Sequence, residues 1–424
     1  MKTLLIFTLT LLCSGCLEDT AVTPINTINP DSVEYYGVAA ANNAFAFDMY
    51  SKLVQLESRE KNNILFSPYS VSAAMAICYE GTEGTAKEQI SNVFYFPANN
   101  TVFKVRLKET NDKVYSGSDG YELENANAIW VQEEYPVKEE YIFNVKNYYR
   151  SEVTNLDFVE KPDESRDAIN EWVEDKTDRK IKDIVPKGSI TDDTRLILTN
   201  AIYFNGKWEH EFDKKMTSKK TFYPTKREEV SVDMMYISSN FNYSENLKAK
   251  IIELPYKGND LSMYIVLPKG NNITEFENNF TVNEYTELKY NMESLGDVET
   301  SIPKFKFETK TELSDSLIEM GVADAFDLKL ANFSGISEIR LLISRMIHQD
   351  FIDVQEEVTE AAASTTVFIG SVSSSKSKSR EFKADLPFIF FIEDRRTDCI
   401  LFMGKVEYPE YEGTGRFWSL PWNK

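Results

Sequence analysis

The chain is poor in the side chains on which most catalytic chemistry depends. Its 424 residues include two histidines, His210 and His348, and four cysteines. No HExxH, GxSxG, Walker A, GxGxxG or CxxC pattern occurs, which removes the usual zinc, hydrolase, nucleotide and dithiol sites. His348 lies in the mostly apolar LLISRMIHQDF and reads as a hydrogen-bonded core histidine; His210, in GKWEHEF, reads as a surface residue. Adjacent carboxylates such as Glu356 and Glu357 point to opposite faces of an extended chain and make no acid/base pair. Nothing specific supports an enzyme, a metal or a cofactor.

Positive charge is also scarce. Lys and Arg number 47 against 68 Asp and Glu, a formal net charge of −21. Neutralising phosphates needs a clustered basic face, and basic clustering is limited to Lys376, Lys378 and Arg380. A nucleic-acid partner is therefore not expected, nor a polyanion cofactor. Long apolar runs are missing beyond the N-terminus, so no segment approaches the ~18 residues of a membrane-spanning helix. The opening MKTLLIFTLTLLCSGC reads as an export signal over residues 1–15. Leu12, Ser14, Gly15 and Cys16 resemble a lipoprotein processing site, with Leu12 one place further from Cys16 than usual. Residues 16–36 would then be a linker or a tether lipidated at Cys16. Within the fold this leaves Cys78 and Cys399, read as buried thiols rather than a disulfide.

What is present is ordinary globular material, 42% hydrophobic and 27% charged, with no linker-like stretch between about Gly37 and Pro409. Phe45, Met49, Leu53 and Leu56 recur at helical spacing. Ser67 caps a second helix with Pro68 in its first turn, a stripe of Val71, Ala74, Met75 and Cys78, and Gly81 at its end. Thr85 to Glu88 spells a capping box. Ile169, Trp172, Val173 and Lys176 mark another helix, and LILTNAIYF, 196–204, a strand buried on both faces. AKIIELPY and LSMYIVLP read as strands, as does the C-terminal pair LPFIFFIED and CILFMGKV. The class is mixed α+β, with no repeat of 20 to 50 residues.

Five segments in order, NILFSPYSVSAAMAICYEGTEGTAKEQI (63–90), NAIYFNGKWEHEF (200–212), IPKFKFET (302–309), MGVADAFD with ANFSGIS (320–337) and LPFIFFIEDRRTDCILFMGKV (386–406), resemble the serpin family. The resemblance runs from about Gly37 to Pro409. It implies three β-sheets, eight or nine helices and an exposed reactive-centre loop, here about 356–380. It also implies a monomer that traps proteases by inserting the cleaved loop into its main sheet. Inserting about ten residues would gain on the order of 20 kcal/mol from hydrogen bonds and burial, against the ~5 to 15 that hold a protease folded.

Residue by residue, the resemblance makes Glu356, Glu357, Val358, Thr359, Glu360, Ala361, Ala362 and Ala363 the hinge. Thr359, Ala361, Ala363, Thr365, Val367 and Ile369 would face the core, and none is charged. Val358 stands where the family usually has Gly, and a β-branched residue is stiffer. Counting seventeen residues from the start of the hinge puts the scissile bond at Val372–Ser373, which suits elastase-like or subtilisin-like proteases. Lys376–Ser377 is the runner-up and would suit a trypsin-like enzyme. Asn63, Ser67, Ser70, Asn200 and His348 match the family's shutter, a polar cluster under the central strands. Trp208, Lys304 and Glu356 match the breach, where a Lys–Glu pair would pin the closed sheet. Two expectations compete: an exported single-use inhibitor of serine proteases, and a non-inhibitory relative with a binding or structural role. Residues 410–424 extend past the family's usual end, either packed back or disordered, or a docking peptide with Trp418 and Trp422 as anchors. Asn242 and Asn272 begin N-glycosylation sequons.

Overall fold

A computed structural model describes residues 37–57, 63–356, 380–411 and 418–419. Among them nine helices form: α1 (Val38–Glu57), α2 (Pro68–Gly81), α3 (Gly84–Phe94), α4 (Asn100–Val114), α5 (Glu139–Tyr148), α6 (Pro162–Lys176), α7 (Ile273–Glu277), α8 (Val282–Tyr290) and α9 (Ser314–Met320). One sheet runs in the order β15 (Trp418–Ser419), β10 (Phe305–Glu312), β11 (Arg345–Val354), β4 (Leu196–Gly206), β2 (Tyr121–Gln132), β3 (Glu152–Leu156). The other runs β1 (Ile64–Phe66), β14 (Cys399–Val406), β13 (Phe388–Asp394), β8 (Leu261–Pro268), β7 (Ala249–Pro255), β6 (Glu228–Glu245), β9 (Glu293–Pro303), β12 (Arg380–Lys383), with β5 (Ser218–Thr225) also on β6. The expected three sheets are two by hydrogen bonding. The 18-residue β6 pairs with β7 at its end and with β5 and β9 along its length, so one strand joins layers that would otherwise count separately.

Local signals hold where tertiary packing agrees with them. Ser67 Oγ accepts from the Ser70 amide and caps α2, with Pro68 in the first turn. α2 is buried almost all round rather than along one stripe. Phe45, Met49 and Leu53 of α1 enter the core, whereas Leu56, in the last turn, is exposed. The capping box at Thr85 does not form. α3 begins two residues earlier than that box requires, at Gly84, whose φ of +66° glycine tolerates, and the Thr85 hydroxyl donates to Asp324 instead.

β4 separates the core into layers by residue parity. Leu196 and Leu198 pack with α1, α2 and β13, and Ile202 and Phe204 with β8 and β14. Ile197, Ala201 and Tyr203 face the opposite way, into a cluster with Ile169 and Val173 of α6. Every residue from Leu196 to Phe204 is buried, as a strand covered on both faces requires. β11 follows the same rule, with Met346, His348, Asp350 and Ile352 turned inward beside the even residues of β4 and Ile347 turned toward α6.

Candidate functional site

β11 and β4 are neighbours, and they run parallel over seven register pairs, from Arg345 with Ile197 to Phe351 with Tyr203. Their outer neighbours are antiparallel to them, β10 to β11 and β2 to β4. A parallel contact between strands with antiparallel partners leaves a place in the topology for one strand, antiparallel to both. Antiparallel strands can be joined by a short turn and need no long crossover.

Beneath this seam lies a polar cluster within apolar layers. Asn200 Nδ2 of β4 donates to the Ser70 carbonyl at 3.0 Å, to Ser70 Oγ at 2.5 Å and to Asn127 Oδ1 of β2. Ser70 Oγ reaches Asn125 Oδ1 at 3.2 Å, and Ser67 Oγ donates to the Leu401 carbonyl at 2.6 Å. His348 Nε2 accepts from the Ser67 amide at 3.1 Å. These bonds tie β11 and β4 to the start of α2 without crossing the seam itself. Ser67, Ser70, Asn200 and His348 are therefore brought together. Asn63 does not join them: its side chain donates to the Tyr408 carbonyl at 2.7 Å and accepts from the Glu407 and Tyr408 amides at 2.8 and 2.9 Å. It lies just before β1, beside the end of β14, and so clamps the C-terminal segment.

The cluster includes a residue that the sequence reading missed. Asp350, two residues along β11 and on the same face, is fully buried, and its Oδ2 lies 2.5 Å from His348 Nε2. Burial pushes the Asp350 carboxyl above the usual carboxylate range, the imidazole offsetting part of that rise. Nε2 thus has two polar neighbours, Asp350 Oδ2 and the Ser67 amide. Asn125 and Asn127 were missed as well. Period-2 alternation on β2 places Asn127 inward, and that was the available signal.

At the end of the seam the strands part. Lys304 Nζ lies 2.8 Å from Glu356 Oε2, the two side chains 16% and 4% exposed. Thr217 Oγ1 donates to Glu356 Oε1 at 2.6 Å, and Trp208 Nε1 donates to the Gln355 carbonyl at 2.8 Å. Trp208 is fixed by stacking on Tyr256, ring centroids 4.6 Å apart. Burial disfavours charge on Glu356, but the bonds from Lys304 and Thr217 outweigh it and hold its pKa below the usual value. Trp208, Lys304 and Glu356 thus converge at one end of the seam.

The remaining expected site residues, Glu357, Val358, Thr359, Glu360, Ala361, Ala362, Ala363, Val372, Ser373, Lys376 and Ser377, lie outside the described residues, as does Cys16. Cys78 and Cys399 are free, buried thiols, each pushed up to about 12 by burial. His348 is core and His210 is exposed. Both sequon asparagines are engaged, Asn242 Nδ2 with Glu253 at 2.7 Å and Asn272 as the cap of α7.

A family model described as Serpin (serine protease inhibitor) matches residues 40–409. An uncharacterized serpin-like protein of Methanosarcina mazei is 68% identical over 413 residues, spanning 95% of this chain and 96% of that protein. Human Serpin B3 is 36% identical over 88% of this chain and 99% of its own, and the horse leukocyte elastase inhibitor 34% identical with the same coverage. Among solved structures, uncleaved ovalbumin aligns with a TM-score of 0.79 at 28% identity, covering 88% of this chain and all of its own. With its polar cluster under a parallel seam and a Lys–Glu pair at the seam's end, the chain belongs to the serpin family of serine protease inhibitors.

Proposed function

We propose that the protein is a single-use inhibitor of serine proteases. The protease's serine oxygen adds to the Val372 carbonyl, the bond to the Ser373 nitrogen breaks, and the protease histidine delivers a proton to that nitrogen. The freed hinge then inserts between β11 and β4, carries the ester-linked enzyme with it, and distorts the oxyanion hole on which deacylation depends. The observation that carries this reading is the parallel β11–β4 seam. Insertion would exchange its seven parallel pairs for two antiparallel ladders, which are slightly more stable per residue and pair the new strand on both sides.

Val before the cut favours elastase-like or subtilisin-like targets. The horse relative, named for inhibition of leukocyte elastase, supports the same direction. Lys376–Ser377 with a trypsin-like enzyme is the runner-up. Export through residues 1–15, with a lipid tether on Cys16, belongs to the same proposal and places the inhibitor outside the cell or on its surface. The second reading, a non-inhibitory serpin with a binding role, is favoured by Val358 in the hinge.

Mixing the protein with elastase-like, subtilisin-like and trypsin-like proteases and running denaturing gels separates these readings. The expected result is a covalent band of summed mass, with mass spectrometry locating the ester at Val372. Cleavage without a covalent band across the whole panel would overturn the trap and favour the binding role.

A further inference from the structure

The family match ends at residue 409, and the next two residues reach into the machinery just described. The Tyr411 hydroxyl donates to Gln355 Oε1 at 2.6 Å, and the Tyr411 ring lies under Lys304 Nζ, 4.2 Å from nitrogen to centroid. The Lys306 amide donates to the Glu410 carbonyl at 2.8 Å. Further on, Trp418 and Ser419 pair in parallel with Thr309 and Lys310 at the outer edge of β10. The segment is anchored behind by Asn63, and Tyr408 donates to Glu228 at 2.7 Å.

Gln355 occupies a particular place in this arrangement. Trp208, just past β4, holds its carbonyl, and Tyr411 holds its side chain. Its neighbour Glu356 is held by Lys304, the cation that Tyr411 covers. In the loop-insertion reading the chain turns back toward the seam just past Gln355 and Glu356, the two residues these partners hold. One tyrosine outside the family's common length touches both halves of that holding point.

We propose that Tyr411 is a latch: the C-terminal extension holds Gln355 and Lys304 in the closed arrangement and sets how readily the sheet opens to take up the loop. This rests on the loop-insertion reading above. The hydroxyl supplies a bond across from the extension to β11, and the ring supplies a cation–π contact to Lys304. The edge pairing of Glu410, Trp418 and Ser419 with the β10 segment keeps the tyrosine in place. The latch acts on opening and not on the closed fold as a whole, because Tyr411 touches the end of the seam and none of its seven pairs.

The test uses the full, uncleaved chain and three variants. Tyr411→Phe removes the bond to Gln355 and keeps the ring; Tyr411→Ala removes both; Tyr408→Phe removes a tail bond away from the seam and is the control. Hydrogen exchange of peptides covering 197–203 and 345–356 is measured under native conditions. One net hydrogen bond corresponds to about a fivefold change in an opening equilibrium, so Tyr411→Phe should speed exchange there about fivefold. Losing the cation–π contact as well should bring Tyr411→Ala to on the order of tenfold. Tyr408→Phe should match the parent chain at these peptides. Exchange at the seam unchanged in both Tyr411 variants, or changed equally in the Tyr408 control, would overturn the latch. The trap is read separately, from covalent complex with protease. Faster seam exchange with no complex in any variant would leave the latch standing and sink the loop-insertion reading.

Discussion

Substituting Lys304 by Met should loosen the closed sheet by about 2–3 kcal/mol. The substitution keeps an apolar stem against Tyr411 and removes the ammonium 2.8 Å from Glu356. Glu356 is then a carboxylate 4% exposed, left with Thr217 as its remaining side-chain donor. Breaking a fully buried pair from one side costs about 3–5 kcal/mol, because the surviving charge is desolvated without a partner. Lys304 keeps some access to water, 16% of its side chain, so the low end of that range or slightly below it, about 2–3 kcal/mol, is the expectation. Glu356→Gln in the Lys304→Met background should recover about 1–2 kcal/mol, since no charge is then stranded. The assay is urea unfolding of uncleaved protein, taking the first transition of the parent, both single variants and the double. The sign with pH follows from Glu356. Its folded pKa is depressed, so its contribution is present above the unfolded carboxylate pKa, about 4.3, and is lost as pH falls through the folded value. A Lys304→Met variant within about 0.5 kcal/mol of the parent at pH 7, or a coupling energy near zero, would refute the pinning role.

Three further outcomes are expected. Asp350 has a folded pKa raised by burial, so its contribution is largest below the unfolded carboxylate pKa of about 4 and is lost as pH rises through the folded value. Asp350→Asn should remove that slope and be at least as stable as the parent at pH 7; a parent-minus-variant difference flat from pH 4 to 8, read by thermal unfolding, would contradict it. Ala363→Arg puts a charge on the hinge face expected to turn inward, so the protein should still be cleaved while its covalent complex with protease disappears. Cys78 and Cys399, fully buried with pKa values near 12, should resist a thiol-directed alkylating agent at pH 8 until denaturant is added; labelling of the native chain at either would show that the core opens there.

Much of this protein was legible before any coordinates. Ser67 followed by Pro68 makes a helix start by local chemistry alone, and the unbroken apolar run of β4 requires cover on both faces; neither depends on the rest of the chain. That Trp208, Lys304 and Glu356 come together was expected through resemblance alone, and the fold places them side by side. The tertiary structure decided which of several possible partners each polar group takes. Thr85 had a capping box within reach and bonded Asp324 instead, and Asn63 went to the backbone of Tyr408 instead of the cluster under the seam. Asp350 shares a strand face with His348 by period-2 alternation, but that it is buried as an acid depends on what covers that face. The role of Tyr411 is the furthest from local information: its partners Gln355 and Lys304 lie 56 and 107 positions away. Local propensity sets which backbone forms, over a few residues and with little ambiguity. Pairing among polar side chains far apart in the chain is set by the packed layers that bring them within hydrogen-bond distance, and only the folded chain contains those layers.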